Sequence, residues 1–429
     1  MSTAIASTGM AVAFPHPADW MSLLMHHSAL RLRACSSPLA LASVLVVGLF
    51  LLRCGGTQST QAPSEPTADD TTAAGPAFSF LLDDANGLIL HDARSASSRV
   101  LVPDARFSGA SRVSPNGRYL AFSYRADSSH LALLDLTDGR LQPVHAHADS
   151  VVYSLAWHPT ADTLAYGFYT PATEGTRGPG DVRVATPQGP ARRVGCSAAR
   201  EVLHWLPDGS LAARDDDNLY LVAASNCTTR ARLDVRQKHR LAYSADSRFL
   251  TYVLQDLRYV REEREYVPDS TLFISDARGK DATKLFGDAR TVRHLQWAPD
   301  EPELAFDLLP EDNPSRRQIV VYDAAQEQTS YLVPPTAGGD AEQVQPQWSP
   351  EGSYIAFVQR RGSTHTAAVR IAGRTQTLGT TTGPVQWVTE RRVAVPGPDS
   401  LYVKTVRGAD VYALPASVTL IHAWSRASV

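Results

Sequence analysis

From residue 78 to the C-terminus, apolar and polar positions alternate over short stretches, the period of two that sends successive side chains to opposite faces of an extended strand. The stretches recur in a fixed order. One type of strand ends on a bulky pair, as in Leu155 and Trp157, Leu203 and Trp205, Leu295 and Trp297, and Val385 and Trp387. The pair opens a phrase seen as Val113-Ser-Pro-Asn-Gly117, Trp157-His-Pro-Thr-Ala161, Trp205-Leu-Pro-Asp-Gly209, Tyr243-Ser-Ala-Asp-Ser247, Trp297-Ala-Pro-Asp-Glu301, Trp348-Ser-Pro-Glu-Gly352 and Trp387-Val-Thr-Glu-Arg391, with a partial copy at Ala423-Trp424-Ser425. Pro presets φ there, and Asn, Asp and Gly accept a tight reversal, so each phrase predicts a turn into a second strand. Second strands read Leu120-Ala-Phe122, Leu164-Ala-Tyr166, Leu304-Ala-Phe306, Ile355-Ala-Phe357 and Val393-Ala-Val395. The small central residue predicts sheets stacked face to face. Third strands follow at Leu131–Leu134, Asn218–Leu221, Thr271–Ile274, Ile319–Tyr322 and Leu401–Val403, and short fourth strands at Thr283–Phe286 and Ser330–Val333.

Successive anchors are 44, 48, 38, 54, 51, 39 and 37 residues apart, and a mean of about 44 is the length of one four-stranded propeller blade. Six of the seven tryptophans occupy the anchor. Phe78–Leu82, Gly87–Asp92 and Arg99–Val102 supply three strands with no anchor before them, and Val418–Trp424 supplies an anchor strand with nothing after it. Pairing the two completes a blade and removes the exposed edges. An all-β, eight-bladed β-propeller closed by its N- and C-terminal strands is therefore predicted; seven blades result if the worn copy at Trp387 or the composite fails to form. The Trp-Ser-Pro-Asp-Gly phrase, the Leu-Ala-Phe strand and the aliphatic strand ending in Asp and Gly resemble TolB-like propellers of WD-like repeats over residues 77–429. That resemblance implies a binding module of the bacterial envelope.

Turns from first to second and from third to fourth strands share one face of the ring, and these read as tight: Ser114–Gly117, Thr137–Gly139, Pro187–Gly189 and Ala372–Arg374. Connections on the other face read as long: Thr170–Asp181, Gln255–Ser270, Pro310–Arg317 and Pro334–Val344. Long loops on a rigid scaffold usually carry binding, which places the functional surface on that face. The longest holds Tyr259, Arg261, Arg264 and Tyr266, side chains typical of protein contacts, though the same segment also reads as a charged ribbon prolonging two strands.

Upstream, Pro38–Leu52 is an uncharged apolar run preceded by Arg31 and Arg33, too short for a membrane span and patterned like a signal peptide. Residues 1–54 are thus expected to be a signal peptide or membrane anchor whose true start is Met21 or Met25. Leu51-Leu52-Arg53-Cys54 resembles a lipobox, with Arg53 where a small residue is usual, and makes Cys54 the candidate lipid attachment. Residues 55–76 have no large apolar side chain and predict a disordered linker. An outer-membrane lipoprotein facing the periplasm, or a soluble periplasmic protein, follows.

Charge then excludes a class. Lys plus Arg number 41 against 44 for Asp plus Glu, without the basic excess of a nucleic-acid binder. No cofactor motif and no Gly-x-Ser-x-Gly elbow occurs. His145-Ala-His147-Ala-Asp149 spaces three metal-ligand types at period two, but in an expected blade-to-blade loop; Asp215-Asp216-Asp217-Asn218 lacks the spacing of a calcium loop and reads as a polar turn. Cys196 and Cys227 are expected at opposite faces, beyond the reach of a disulfide. The expected function is non-catalytic recognition of a protein or peptide by a membrane-tethered propeller. Alternatives are a hydrolase or lactonase with a channel-mouth site, disfavoured by anchor strands rich in Leu, Val, Ala and Gln, and a structural subunit of an envelope complex.

Overall fold

A computed structural model describes residues 78–425 apart from 148–149, 172–176, 195–198, 226–227, 237, 261–264, 287–291, 311–314, 335–339 and 416; for residues 147, 177, 179, 255–260, 265–269 and 425 it describes the backbone. The described chain is all strand and turn. It forms eight antiparallel four-stranded sheets arranged as the blades of a propeller. Blade 1 takes its innermost strand from the C-terminus, Thr419–Ser425, beside Phe78–Asp84, Gly87–Asp92 and Ser97–Pro103. Blades 2 to 8 follow in chain order at residues 106–147, 151–193, 201–234, 238–286, 293–331, 342–380 and 386–415. The worn copy at Trp387 does form a blade, so the count is eight.

The second-strand triplet explains how blades stack. Leu164 and Tyr166 face blade 2, and the intervening Ala165 faces blade 4. Leu304 and Phe306 likewise face blade 5, with Ala305 toward blade 7. At these interfaces bulky side chains from one sheet meet an alanine from the other, Ala121, Ala165 or Ala305, which lets the sheets approach closely enough to exclude water.

The anchor tryptophans tie blades together through their polar edge. Trp157 Nε1 donates to Arg112 O at 3.0 Å, Trp205 Nε1 to Ala156 O at 3.0 Å, Trp348 Nε1 to Gln296 O at 3.2 Å and Trp387 Nε1 to Gln347 O at 3.0 Å. In every case the acceptor is the residue just before the anchor of the preceding blade. The turn after the anchor is held by its own polar groups: Ser114 Oγ accepts from Tyr119 N at 2.9 Å, Ser349 Oγ from Tyr354 N at 3.0 Å, and Gly117 and Gly352 take φ of 72° and 77°. Such φ values cost glycine nothing.

Two of the expected long connections are strands, and in blade 5 it is the alternative reading, a ribbon prolonging two strands, that the backbone adopts. Phe249–Val260 and Glu265–Asp276 pair continuously from Phe249↔Asp276 to Val260↔Glu265, and Leu164–Pro171 pairs with Arg177–Ala185 out to Pro171↔Arg177. Tight second-to-third turns also occur on that face, as at Asp84–Gly87 and Arg361–Thr364. The contrast between faces thus belongs to blades 3, 5 and 6, not to the whole ring.

Candidate functional site

Tyr259 and Tyr266 sit opposite each other in the blade 5 ribbon, while Arg261 and Arg264, between them, lie outside the described residues. Cys54, Cys196, Cys227 and Asp149 lie outside them too. His145 is not in a loop: it belongs to the fourth strand of blade 2, Leu141–His147, because its backbone pairs with Leu131. Its ring is buried 4.8 Å from Phe168 with Nε2 3.3 Å from Ser150 Oγ, a core contact between blades 2 and 3. Asp215 does make a polar turn, accepting from Asp217 N at 2.8 Å and Asn218 N at 2.6 Å through one oxygen and from Tyr220 OH at 2.7 Å through the other.

The polar cluster that stands out lies between blades 6 and 7, at the face of the blade-to-blade connections. Asp307, the last but one residue of the second strand Glu303–Leu308, is fully buried. Its carboxylate accepts from Arg317 Nη1 at 2.6 Å, from His294 Nδ1 at 2.5 Å and from Gln345 N at 3.1 Å. Burial alone would raise its pKa. The His294 hydrogen bond, the Gln345 N–H and the charges of His294 and Arg317 outweigh burial and hold it below the ordinary aspartate value. Removing one member of such a buried pair typically costs about 3–5 kcal/mol.

Backbone geometry explains why these groups meet. Every first strand is bulged against its second strand, and bulges re-aim side chains. In blades 6 and 7 the bulge residues are His294 and Gln345, at φ of 51° and 57°, a region non-glycine residues seldom occupy. Asp307 holds both, one by its side chain and one by its amide. Blade 2 needs only Ser123 Oγ, accepting from Ala110 N at 3.2 Å, for the same task. A charged residue is more than bulge capping requires.

Hydrogen-bonding capacity is left over on chain neighbours of this cluster. Gln343, 1% exposed, donates its backbone N–H to Arg317 O at 2.9 Å, yet its side-chain Oε1 has no partner among the described residues. Arg316 Nη2 is also buried and unpartnered, although its Nε reaches Ala341 O at 3.0 Å. The His294 side chain is 41% exposed with Nδ1 committed to Asp307. The site therefore offers a solvent-reachable imidazole oriented by a buried carboxylate. Among the described residues no three His, Cys, Asp or Glu side chains converge as a metal site would require.

Sequence reasoning passed over this cluster, and it characterised the anchor strands too narrowly, since they also present Arg112, His204, His294 and His422. One signal was available. Asp307 directly follows Leu304-Ala-Phe306, where other blades place Ser123, Gly167 or Val358.

No family model matches the chain, and no curated protein matches it. Solved structures do. An eukaryotic initiation factor superposes with a TM-score of 0.51 at 14% identity, covering 81% of this chain and 97% of that one. The dihydro-heme d1 dehydrogenase NirN, in complex with DHE, reaches 0.51 at 15% identity over 83% of this chain and 76% of its own. TolB from Acinetobacter baumannii reaches 0.40 at 15% identity, over 81% and 82%. At such identities the likeness concerns fold alone: the chain is an eight-bladed β-propeller whose architecture leaves its activity open.

Proposed function

We propose that this chain is a non-catalytic binding propeller, tethered in the bacterial cell envelope through its N-terminal segment, that receives a protein or peptide partner on the face of the long connections. The blade 5 ribbon carries the reading. Pairing with the first strand of the blade stops at Leu254, and the ribbon continues to Val260; six residues at about 3.3 Å each extend it roughly 20 Å further. Along that length Gln255–Val260 pairs on one side only among the described residues, so its other edge offers main-chain donors and acceptors to an added strand. Edge addition is a common mode of peptide capture, with affinity from main-chain hydrogen bonds and selectivity from alternate side chains. Replacing residues 258–267 by an Asn-Gly turn is expected to abolish in-cell crosslinks between blade 5 and its partner. An unchanged crosslinking pattern in a folded variant would overturn the proposal. Radiolabelled palmitate should enter the protein and be lost in Cys54→Ala; a periplasmic protein that never labels would be soluble instead.

The His294–Asp307 pair favours a second reading, a propeller hydrolase. An imidazole fixed at Nδ1 by a buried carboxylate has the arrangement of a general base. Turnover of a lactone or ester panel that disappears in His294→Gln would support it; no turnover by the wild type across the panel leaves binding as the function.

A further inference from the structure

The first strands of blades 1 to 7 touch in succession and form the inner wall of the ring. In that wall blades 5 and 6 stand apart at one place, the third residue before the anchor. Blades 1 to 4 put Ile421, Ala110, Ser154 and Val202 there, and all four are buried. Blades 5 and 6 put Arg240 and His294 there, both exposed and both left-handed, with φ of 54° and 51°. A regular strand with one covered face exposes only every second residue. The bulges, between His239 and Ala242 and between Arg293 and Gln296, lift that restriction by re-aiming side chains. His239 and Arg240 are exposed together, and so are Arg293 and His294. Left-handed backbone at non-glycine residues is an uncommon arrangement that tends to gather at sites which hold a ligand.

The two strands lie side by side, with Trp297 Nε1 donating to Ala242 O at 3.3 Å. Together, Lys238–Tyr243 and Arg293–Trp297 contain three cations and no acid. Neither Arg240 nor Arg293 pairs with a carboxylate among the described residues. Lys238 Nζ donates to Asp234 O at 2.8 Å, while the Asp234 carboxylate is taken by Arg236 at 2.6 Å. In blade 6 the charge of Asp307 is already balanced by Arg317. By contrast Arg106 of blade 2 pairs with Asp83, and the first strands of blades 4 and 7 open on Glu201 and Glu342. A crescent of uncompensated positive charge therefore sits on two adjacent inner strands, at their start, which is the face of the blade-to-blade connections.

We infer that Lys238, Arg240 and Arg293, with His239 and His294 beside them, form an interaction surface for an acidic peptide segment, a run of Asp or Glu carried by the protein partner. Guanidinium and carboxylate match in planar, bidentate geometry, and carboxylates spaced along a chain relieve the repulsion among the cations. The inner wall of a ring admits a chain segment and turns away a flat bilayer. A long nucleic acid would meet a molecule whose acids outnumber its Lys and Arg by 44 to 41. The inference rests on the reading of this face as the partner face and adds the chemistry of the partner.

Fluorescence anisotropy of fluorescein-labelled hexaglutamate, titrated with the full-length protein in mild detergent at pH 7.5 and low salt, tests it. Saturable binding is expected, absent with hexaglutamine and lost as salt rises toward about 1 M, where the screening length falls to about 3 Å. Arg240→Gln combined with Arg293→Gln should weaken it about tenfold or more. The unfolding midpoint should not move, since both side chains are exposed. Arg240→Lys with Arg293→Lys keeps both charges and should retain most of the affinity. Replacing residues 258–267 removes three Arg and three Glu, so the net charge stays and hexaglutamate should still bind. In-cell crosslinks lost on that replacement but untouched by Arg240→Glu with Arg293→Glu would leave the partner face standing and overturn the acidic partner. Crosslinks lost only in the double Glu variant would discard the ribbon and support the crescent. No saturable binding by the wild type, undiminished binding in the folded double Gln variant, or tighter binding of phosphatidylglycerol vesicles or of a single-stranded DNA hexamer would each overturn the assignment.

Discussion

The anchor indoles of Trp157, Trp205, Trp297, Trp348 and Trp387 each donate to a main-chain carbonyl on the neighbouring blade, and that carbonyl, once buried, has no water to replace the bond. Trp205→Phe keeps most of the apolar contact but strands the Ala156 carbonyl, so a loss of about 1–3 kcal/mol is expected in denaturant unfolding. Trp424 provides the control. Its Nε1 is buried with no partner among the described residues, so Trp424→Phe removes an uncompensated donor and should be neutral or stabilising; equal losses at the two sites would show that packing, not the indole bond, holds the blades. The imidazoles set a pH dependence. His204 and His422 have folded pKa values near 4 against an ordinary 6.5, and burial lowers that of His91 in spite of Asp92. Between those values the unfolded chain takes up protons that the folded one refuses, so stability should fall as pH drops from about 6.5 toward 4. Asp307, with its lowered pKa, remains charged through this window and does not mask the effect. A flat unfolding midpoint from pH 7 to 4.5, or one unaffected by the His204→Gln, His422→Gln double substitution, would contradict this assignment.

At the level of elements, strands were legible where a core imposes alternation and illegible where the chain leaves it. Leu120-Ala-Phe122 and its counterparts announce themselves because each face of the second strand meets another sheet. Residues 255–260 and 265–269 continue a ladder by main-chain pairing beyond the last bond to the blade's first strand, with no third strand to enforce a period of two, so the sequence reads there as loop and as ribbon alike. The blade 3 ribbon is hidden by Gly178-Pro-Gly180 and a register shift between Arg177 and Gly180. Such an extension contributes little to the fold. Replacing 258–267 by Asn-Gly should therefore move the unfolding free energy by no more than about 0.5 kcal/mol, as for surface changes away from the core, while the matching turn fits the twist of the remaining Leu257↔Pro268 pair. A loss of several kcal/mol would mean that the ribbon folds back on the ring and belongs to its core. The Asp307 cluster escaped notice for a related reason. Its members are spread over two repeats, His294 and Arg317 in one and Gln343 and Gln345 in the next, and only the stacking of blades 6 and 7 brings them together.

At the scale of the whole molecule, the closure inferred from an unmatched anchor at Trp424 and three unmatched strands from Phe78 is the one the fold adopts, with Phe78↔Ser425 and Ser79↔Trp424 as cross-strand partners. Counting repeats could reveal this because a ring must return to its start; the N-terminal 77 residues, which belong to no repeat, offer no such internal check. The hydrogen-bonded composite blade makes a quantitative demand. A circular permutant that joins Ser425 to Phe78 through an Asn-Gly turn and opens the chain between Pro103 and Arg106 keeps all four strands of blade 1, now contiguous, along with every side chain of the ring. What it loses is the ladder linking the two ends of the chain. Its ring is then closed at blades 1 and 2 without a ladder, by the packing of Leu81, Leu88, Leu120 and Phe122 and by polar contacts of Asp83 with Arg106 and Phe107 N and of Arg99 with Gly139 O. The permutant should fold to the same circular-dichroism spectrum but unfold at lower denaturant, with faster hydrogen exchange concentrated in blades 1 and 2, where opening begins. A permutant as stable as the parent would show that the stacked faces suffice, and that the composite blade fixes the order of the chain rather than the strength of the ring.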